Sequence, residues 1–102
     1  MSVLHLINKS PYERNSLETC LRLSQKGAAI LLLEDGVYAA RKGGHAATML
    51  EAAMSDQQIY ALQPDLEARG IDPESLISGI SLVDYDGFVK LAAESSKAQS
   101  WL

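Results

Sequence analysis

The run Ala28-Ala29-Ile30-Leu31-Leu32-Leu33 constrains this chain more than any other stretch, because it has no polar side at all. A strand with one face in water alternates polar and apolar residues, so a continuously apolar strand must be covered on both faces. The run is also far shorter than the roughly 20 residues of a membrane-spanning helix, so no span is expected. Turn residues bound it, Gly27 before and Glu34-Asp35-Gly36 after, as suits a buried central strand.

The flanking segments supply the covers. Residues 3–7 read as a first strand that leaves the sheet through the turn-rich Asn8-Lys9-Ser10-Pro11. Two helix starts then compete. Ser10-Pro11-Tyr12-Glu13 has the spacing of a capping box, and Asn15-Ser16-Leu17-Glu18 offers a later cap; either helix ends near Gly27. Beyond the central strand come a helical turn at 37–40, a flexible Arg41-Lys42-Gly43-Gly44, and a helix over 46–54 with Ala46, Met49, Leu50 and Ala53 on one side. A third strand at 59–62 precedes a short helix bracketed by Pro64 and Gly70. A fourth strand at 80–83 precedes a helix from Tyr85 towards Glu94, capped by Asp84. Residues 97–102 read as a short tail. This alternation predicts one domain over residues 1–102, an α/β chain folded as a three-layer α/β/α sandwich around a mainly parallel sheet of 4–5 strands.

Charge and cysteine content narrow the function classes. Net charge is −4, so a nucleic-acid backbone is repelled on average and direct nucleic-acid binding is disfavoured. The beginning Met1-Ser2-Val3-Leu4-His5 carries no basic stretch or cleavage pattern of a secretion signal. With a single cysteine in the chain, a reducing cytoplasm is the expected location and no membrane contact is expected.

That cysteine, Cys20, is the candidate covalent site. A lone thiol can carry sulfur or an adduct but forms no disulfide within its own chain. At about 100° per residue it falls in the same apolar arc as Leu17 and Leu21, which favours a core position. Activation would require a helix N-terminus or a nearby cation, and Cys20 lies beyond the first turn for either helix start. Glu34, Asp35, Asp84 and Asp86 sit at the carboxyl ends of strands two and four, the edge where open α/β sheets bind ligands. Such carboxylates suit Mg²⁺, yet capping and turn roles explain them better, and no metal is expected. His5 and His45 have no metal-ligand spacing to each other or to Cys20, and Gly43-Gly44 is neither a dinucleotide nor a P-loop fingerprint, so no cofactor is expected. Trp101 either closes the core or anchors a partner.

Four stretches in order carry a resemblance: Leu4-His5-Leu6-Ile7-Asn8-Lys9-Ser10-Pro11, Leu31-Leu32-Leu33-Glu34-Asp35-Gly36-Val37-Tyr38-Ala39-Ala40, Tyr60-Ala61-Leu62-Gln63-Pro64-Asp65-Leu66-Glu67-Ala68-Arg69-Gly70, and Val83-Asp84-Tyr85-Asp86-Gly87-Phe88-Val89. With Gln99-Ser100-Trp101 at the end, the chain resembles the DsrH/TusB family over nearly its whole length. The resemblance implies a small α/β/α fold and a cytoplasmic heterohexamer with two sister subunits, one DsrE/TusD-like and one DsrF/TusC-like. It also implies relay of persulfide sulfur between proteins, with a carrier of the DsrC/TusE type as a partner. The principal sulfur-accepting cysteine is then expected on the DsrE/TusD-like sister. The TusB branch serves 2-thiolation of the wobble uridine in tRNA, whereas DsrH proteins of dissimilatory sulfur oxidation carry a cysteine in the first helix. Thr19-Cys20-Leu21 therefore leans towards the oxidative branch, with Cys20 as an accessory persulfide site. Two other readings stand beside it: a non-catalytic scaffold for the sister's cysteine, and a Mg²⁺-binding module resembling a receiver domain built on Asp35, Asp84 and Asp86.

Overall fold

The computed structural model describes residues 3–13, 15–44 and 46–101. Five strands, β1 (Val3–Ile7), β2 (Ala29–Leu32), β3 (Gln58–Leu62), β4 (Ser81–Val83) and β5 (Lys97–Trp101), form one sheet in the order β4-β3-β2-β1-β5. Every pairing is parallel. The helices are α1 (Ser16–Leu23), α2 (Ala47–Ala53), α3 (Gln63–Ala68) and α4 (Tyr85–Glu94), with 3-10 helices at Glu34–Ala40 and Pro73–Ser75. The α/β/α architecture expected from the alternation is present, with five strands.

Strand order dictates how the layers fill. From β1 through β2 and β3 to β4 the chain steps steadily in one direction across the sheet, and right-handed crossovers then put α1, α2 and α3 on the same face. The β4–β5 connection travels back past β1, so the same hand places α4 alone on the opposite face. The packing agrees. Leu17, Leu50 and Leu66 share a front cluster with Ile7, Ile30, Leu32 and Ile59. Phe88 and Leu91 of α4 pack on the back against Leu4, Leu31 and Leu62. In β2, Ile30 and Leu31 are both fully buried but face opposite clusters, which is why that strand has no polar position.

Local chemistry sets the element ends. The later of the two helix starts is used: Ser10 closes a turn instead, its Oγ accepting from Tyr12 N–H at 3.1 Å and its carbonyl from Glu13 N–H at 3.0 Å. The helix from Ser16 stops at Leu23, short of Gly27, because Ser24 turns extended while its N–H still bonds the Cys20 carbonyl. Gly70, at φ +66°, ends α3, with Ile71 N–H reaching back to the Leu66 carbonyl at 3.0 Å. Asp84 Oδ1 accepts from Gly87 N–H at 2.8 Å and caps α4 as expected.

Two elements differ from the sequence reading. The turn expected at 37–40 is a longer 3-10 helix from Glu34 to Ala40, seated on the end of β1. A Cβ at Gly36 would lie 2.1 Å from the Ile7 carbonyl oxygen, so glycine alone permits this approach. The tail is a strand: β5 pairs with β1 in the register Val3↔Lys97, His5↔Gln99 and Ile7↔Trp101.

Candidate functional site

Cys20 sits on the inward side of α1, fully buried in the front cluster. Burial pushes its thiol up from 9.0 to about 12, since an apolar surround destabilises the charged form. At neutral pH the thiolate, which is the nucleophile, is a vanishing fraction. The structure thus places the candidate sulfur site out of reach of a donor persulfide in this conformation. No ion pair involves it among the described residues.

The four carboxylates at the carboxyl edge do not converge. Between the end of β2, with Glu34 and Asp35, and the end of β4, with Asp84 and Asp86, stands β3, so the pairs are two strand spacings, about 10 Å, apart. Two of them have local work, Asp84 as the cap of α4 and Asp35 in an ion pair. Asp35 Oδ1 accepts from Arg69 Nε at 3.0 Å and lies 3.0 Å from Arg69 Nη2. Asp65 Oδ2 accepts from Glu34 N–H at 2.5 Å, tying α3 to the 3-10 helix where Glu34 holds φ at 49°. Among the described residues no group of three or more His, Cys, Asp or Glu side chains is placed to hold a metal. The receiver-like arrangement of Asp35, Asp84 and Asp86 is therefore not formed.

His5 and Trp101 meet through the β1–β5 pairing. Trp101 Nε1–H donates to His5 Nδ1 at 3.0 Å, and the rings lie 5.9 Å apart, tilted by 50°. Trp101 thus docks on its own domain. Burial first, and the Lys97 charge second, hold the His5 imidazole below its ordinary 6.5. His45 lies outside the described residues. Reading the sequence alone missed this corner, since His5, Lys97 and Trp101 become neighbours only once the tail is recognised as a strand.

No described helix is long and apolar enough to cross a membrane. The model of a family described as DsrH like protein matches residues 9–98. The chain is 40% identical to protein TusB of Pectobacterium parmentieri over 99 residues, 97% of this chain and 100% of that one. Protein TusB of Escherichia coli strain K12 / DH10B is 35% identical over 99 residues, with the same coverage. Among solved structures, the ychN protein from E. coli superposes with a TM-score of 0.84 at 19% identity, covering 99% of both chains. A Methanobacterium thermoautotrophicum protein of unknown function gives 0.75 at 17% identity over 97% of each chain. At such identities these two neighbours bear on the fold alone.

Proposed function

This chain belongs to the DsrH/TusB family, and from that membership we propose that it is a scaffold subunit of a cytoplasmic sulfur-relay complex. In this reading it assembles with a DsrE/TusD-like and a DsrF/TusC-like sister into a heterohexamer. The reactive cysteine is the sister's, and a DsrC/TusE-type carrier exchanges sulfur with it. The observation that carries the reading is the state of Cys20, fully buried with its thiol pushed up to about 12. Relay proceeds when a thiolate attacks the terminal sulfur of a persulfide, a new S–S bond forms, the donor's S–S bond breaks and the donor leaves as thiolate. A protonated, enclosed thiol is poorly suited to that step.

The branch served is 2-thiolation of tRNA wobble uridine. TusB relatives at 35–40% identity over the whole length of their chains support it. The presence of Cys20 in a Thr-Cys-Leu frame favours a second reading, dissimilatory sulfur oxidation with Cys20 as an accessory persulfide site.

Mass spectrometry of the reconstituted complex after exposure to a persulfide donor separates the two. Sulfur gained on the sister's cysteine, with an unmodified Cys20 peptide and full transfer by Cys20→Ser, is the expected result. Sulfur on Cys20, or transfer lost while the Cys20→Ser complex stays intact, rejects the scaffold role. Loss of 2-thiouridine from tRNA in cells lacking the chain checks the branch, and failure to co-purify with two similar small proteins rejects the subunit role.

A further inference from the structure

The edge strand β5 is held to the sheet by little besides its ladder. Among the described residues it pairs with β1 alone, and along its length only Trp101 is partly covered while the rest is exposed. The indole of Trp101 packs against the front cluster, and its Nε1–H donates to His5 Nδ1 at 3.0 Å. In the β1–β5 register His5 and Ile7 share a face with Lys97, Gln99 and Trp101, so this bond is a diagonal clasp across the outermost strand pair. A strand with few buried contacts lies at the low-stability end of a domain, where one side-chain bond shifts the balance between closed and open.

The clasp is compatible with one protonation state only. An indole N–H donates and cannot accept, so His5 Nδ1 must offer its lone pair. The proton of the neutral ring therefore sits on Nε2. Nε2 is open to water, whereas Nδ1 is covered by the indole in a residue only 6% exposed. A second proton has to be taken by Nδ1, which then becomes a donor facing another donor. The incoming proton and the Trp101 N–H compete for the same lone pair, and the ring cannot hold both.

We propose that the His5–Trp101 hydrogen bond is a proton-controlled latch on the edge of the sheet: it is closed with the neutral imidazole and opens when the imidazole takes a proton, freeing the carboxyl end of β5 from β1. The charges facing the ring agree with a latch closed at neutral pH. Lys97 of β5 and Lys26 of the turn after α1 line the same shallow depression as His5, and no described carboxylate does. The carboxyl end of α1, at Leu23 and Ser24, is the one neighbour there whose partial negative charge favours the protonated ring. Burial first and Lys97 second hold His5 below its ordinary 6.5, so an unfolded chain takes the proton before the folded one does. The stabilisation from this group is complete above pH 6.5 and is lost as pH falls below that value. Acidification thus opens the clasp, and a cation left beside Lys97 keeps it open.

The test is an NMR titration of the full chain from about pH 7.5 to about pH 5, above the midpoints of ordinary carboxylates. Trp101 is the only tryptophan, so its indole N–H is unambiguous. That signal is expected to move to an unbonded position with the same midpoint as the His5 ring nitrogens, and its protection from exchange to fall about fivefold, as loss of one ordinary hydrogen bond allows. His5→Gln, whose side-chain oxygen can still accept from the indole, should hold the signal flat across the range, while His45→Gln should leave the transition in place. His5 taking its proton with the indole N–H unmoved overturns the latch, as does an indole signal unchanged to the acid end of the range. A transition that survives in His5→Gln or disappears in His45→Gln overturns it too. If His5→Gln does not fold, the two wild-type midpoints and His45→Gln decide alone. None of these readouts depends on sulfur moving through the complex.

Discussion

The two faces of the sheet are finished to different degrees. On the front, α1, α2, α3 and the 3-10 helix from Glu34 bury Leu17, Cys20, Val37, Leu50 and Leu66 almost completely. On the back, α4 stands alone and none of its residues is fully buried. Phe88 and Leu91 are half covered, and Val89 and Tyr85 are 65% and 58% exposed. The cause is topological: three crossovers run one way and one runs back, so a single hand of connection yields three covers and one. Cys20 is part of the front packing, which is what encloses its thiol.

The sharpest break of this contrast is Gly36→Ala on the front. The added methyl would lie 2.1 Å from the Ile7 carbonyl oxygen, and backbone cannot swing aside as a side chain does. A loss of about 4 kcal/mol or more in urea unfolding is expected, at the exceptional end for one substitution. Leu50→Ala comes next. Leu50 is fully buried between α2 and the sheet, and truncation should cost about 2–5 kcal/mol by lost transfer energy and the cavity left behind.

Cys20 gives a smaller effect with a defined direction. Its folded-state pKa, about 12, is above the unfolded 9.0, so its contribution is complete below pH 9 and is lost as pH rises towards 12. The unfolded thiol ionises first and draws the equilibrium with it. Stability should fall by up to about 1.4 kcal/mol per pH unit in that window from this group alone. Other residues titrate there too, so the check is a difference: Cys20→Ala should start less stable and lose less between pH 9 and 11.

How much of this was legible in the sequence depends on the range of the interactions. The central strand was, because a run without a polar residue has one physical solution. The inward position of Cys20 was too, since helical periodicity is a local signal. The early end of the first helix was not, because Gly27 looks like a stop while Ser24 leaves the helix first. Nor was β5. Lys97-Ala98-Gln99-Ser100-Trp101 has no apolar alternation, and its place is fixed by pairing with β1 at the other end of the chain. The His5–Trp101 contact depends on that pairing, so it was beyond reach. The carboxylates at the other edge drew attention by their type, but Asp35 and Asp84 serve an ion pair and a helix cap.

The smallest predicted effect is the most informative about the back face. Val89→Ala removes the same kind of methyl groups as Leu50→Ala, but from a side chain already 65% exposed, so little transfer energy is lost. Within a helix, alanine is also favoured over valine by up to about 0.7 kcal/mol, because valine gives up side-chain freedom against the preceding turn. The two contributions oppose each other and the second is at least as large. The free chain is therefore expected to be unchanged or stabilised by up to about 0.5 kcal/mol, opposite in sign to Leu50→Ala. A loss of 2 kcal/mol or more, on the order of a core truncation, would mean that α4 is packed as tightly as the front helices. The asymmetry between the faces would then be wrong.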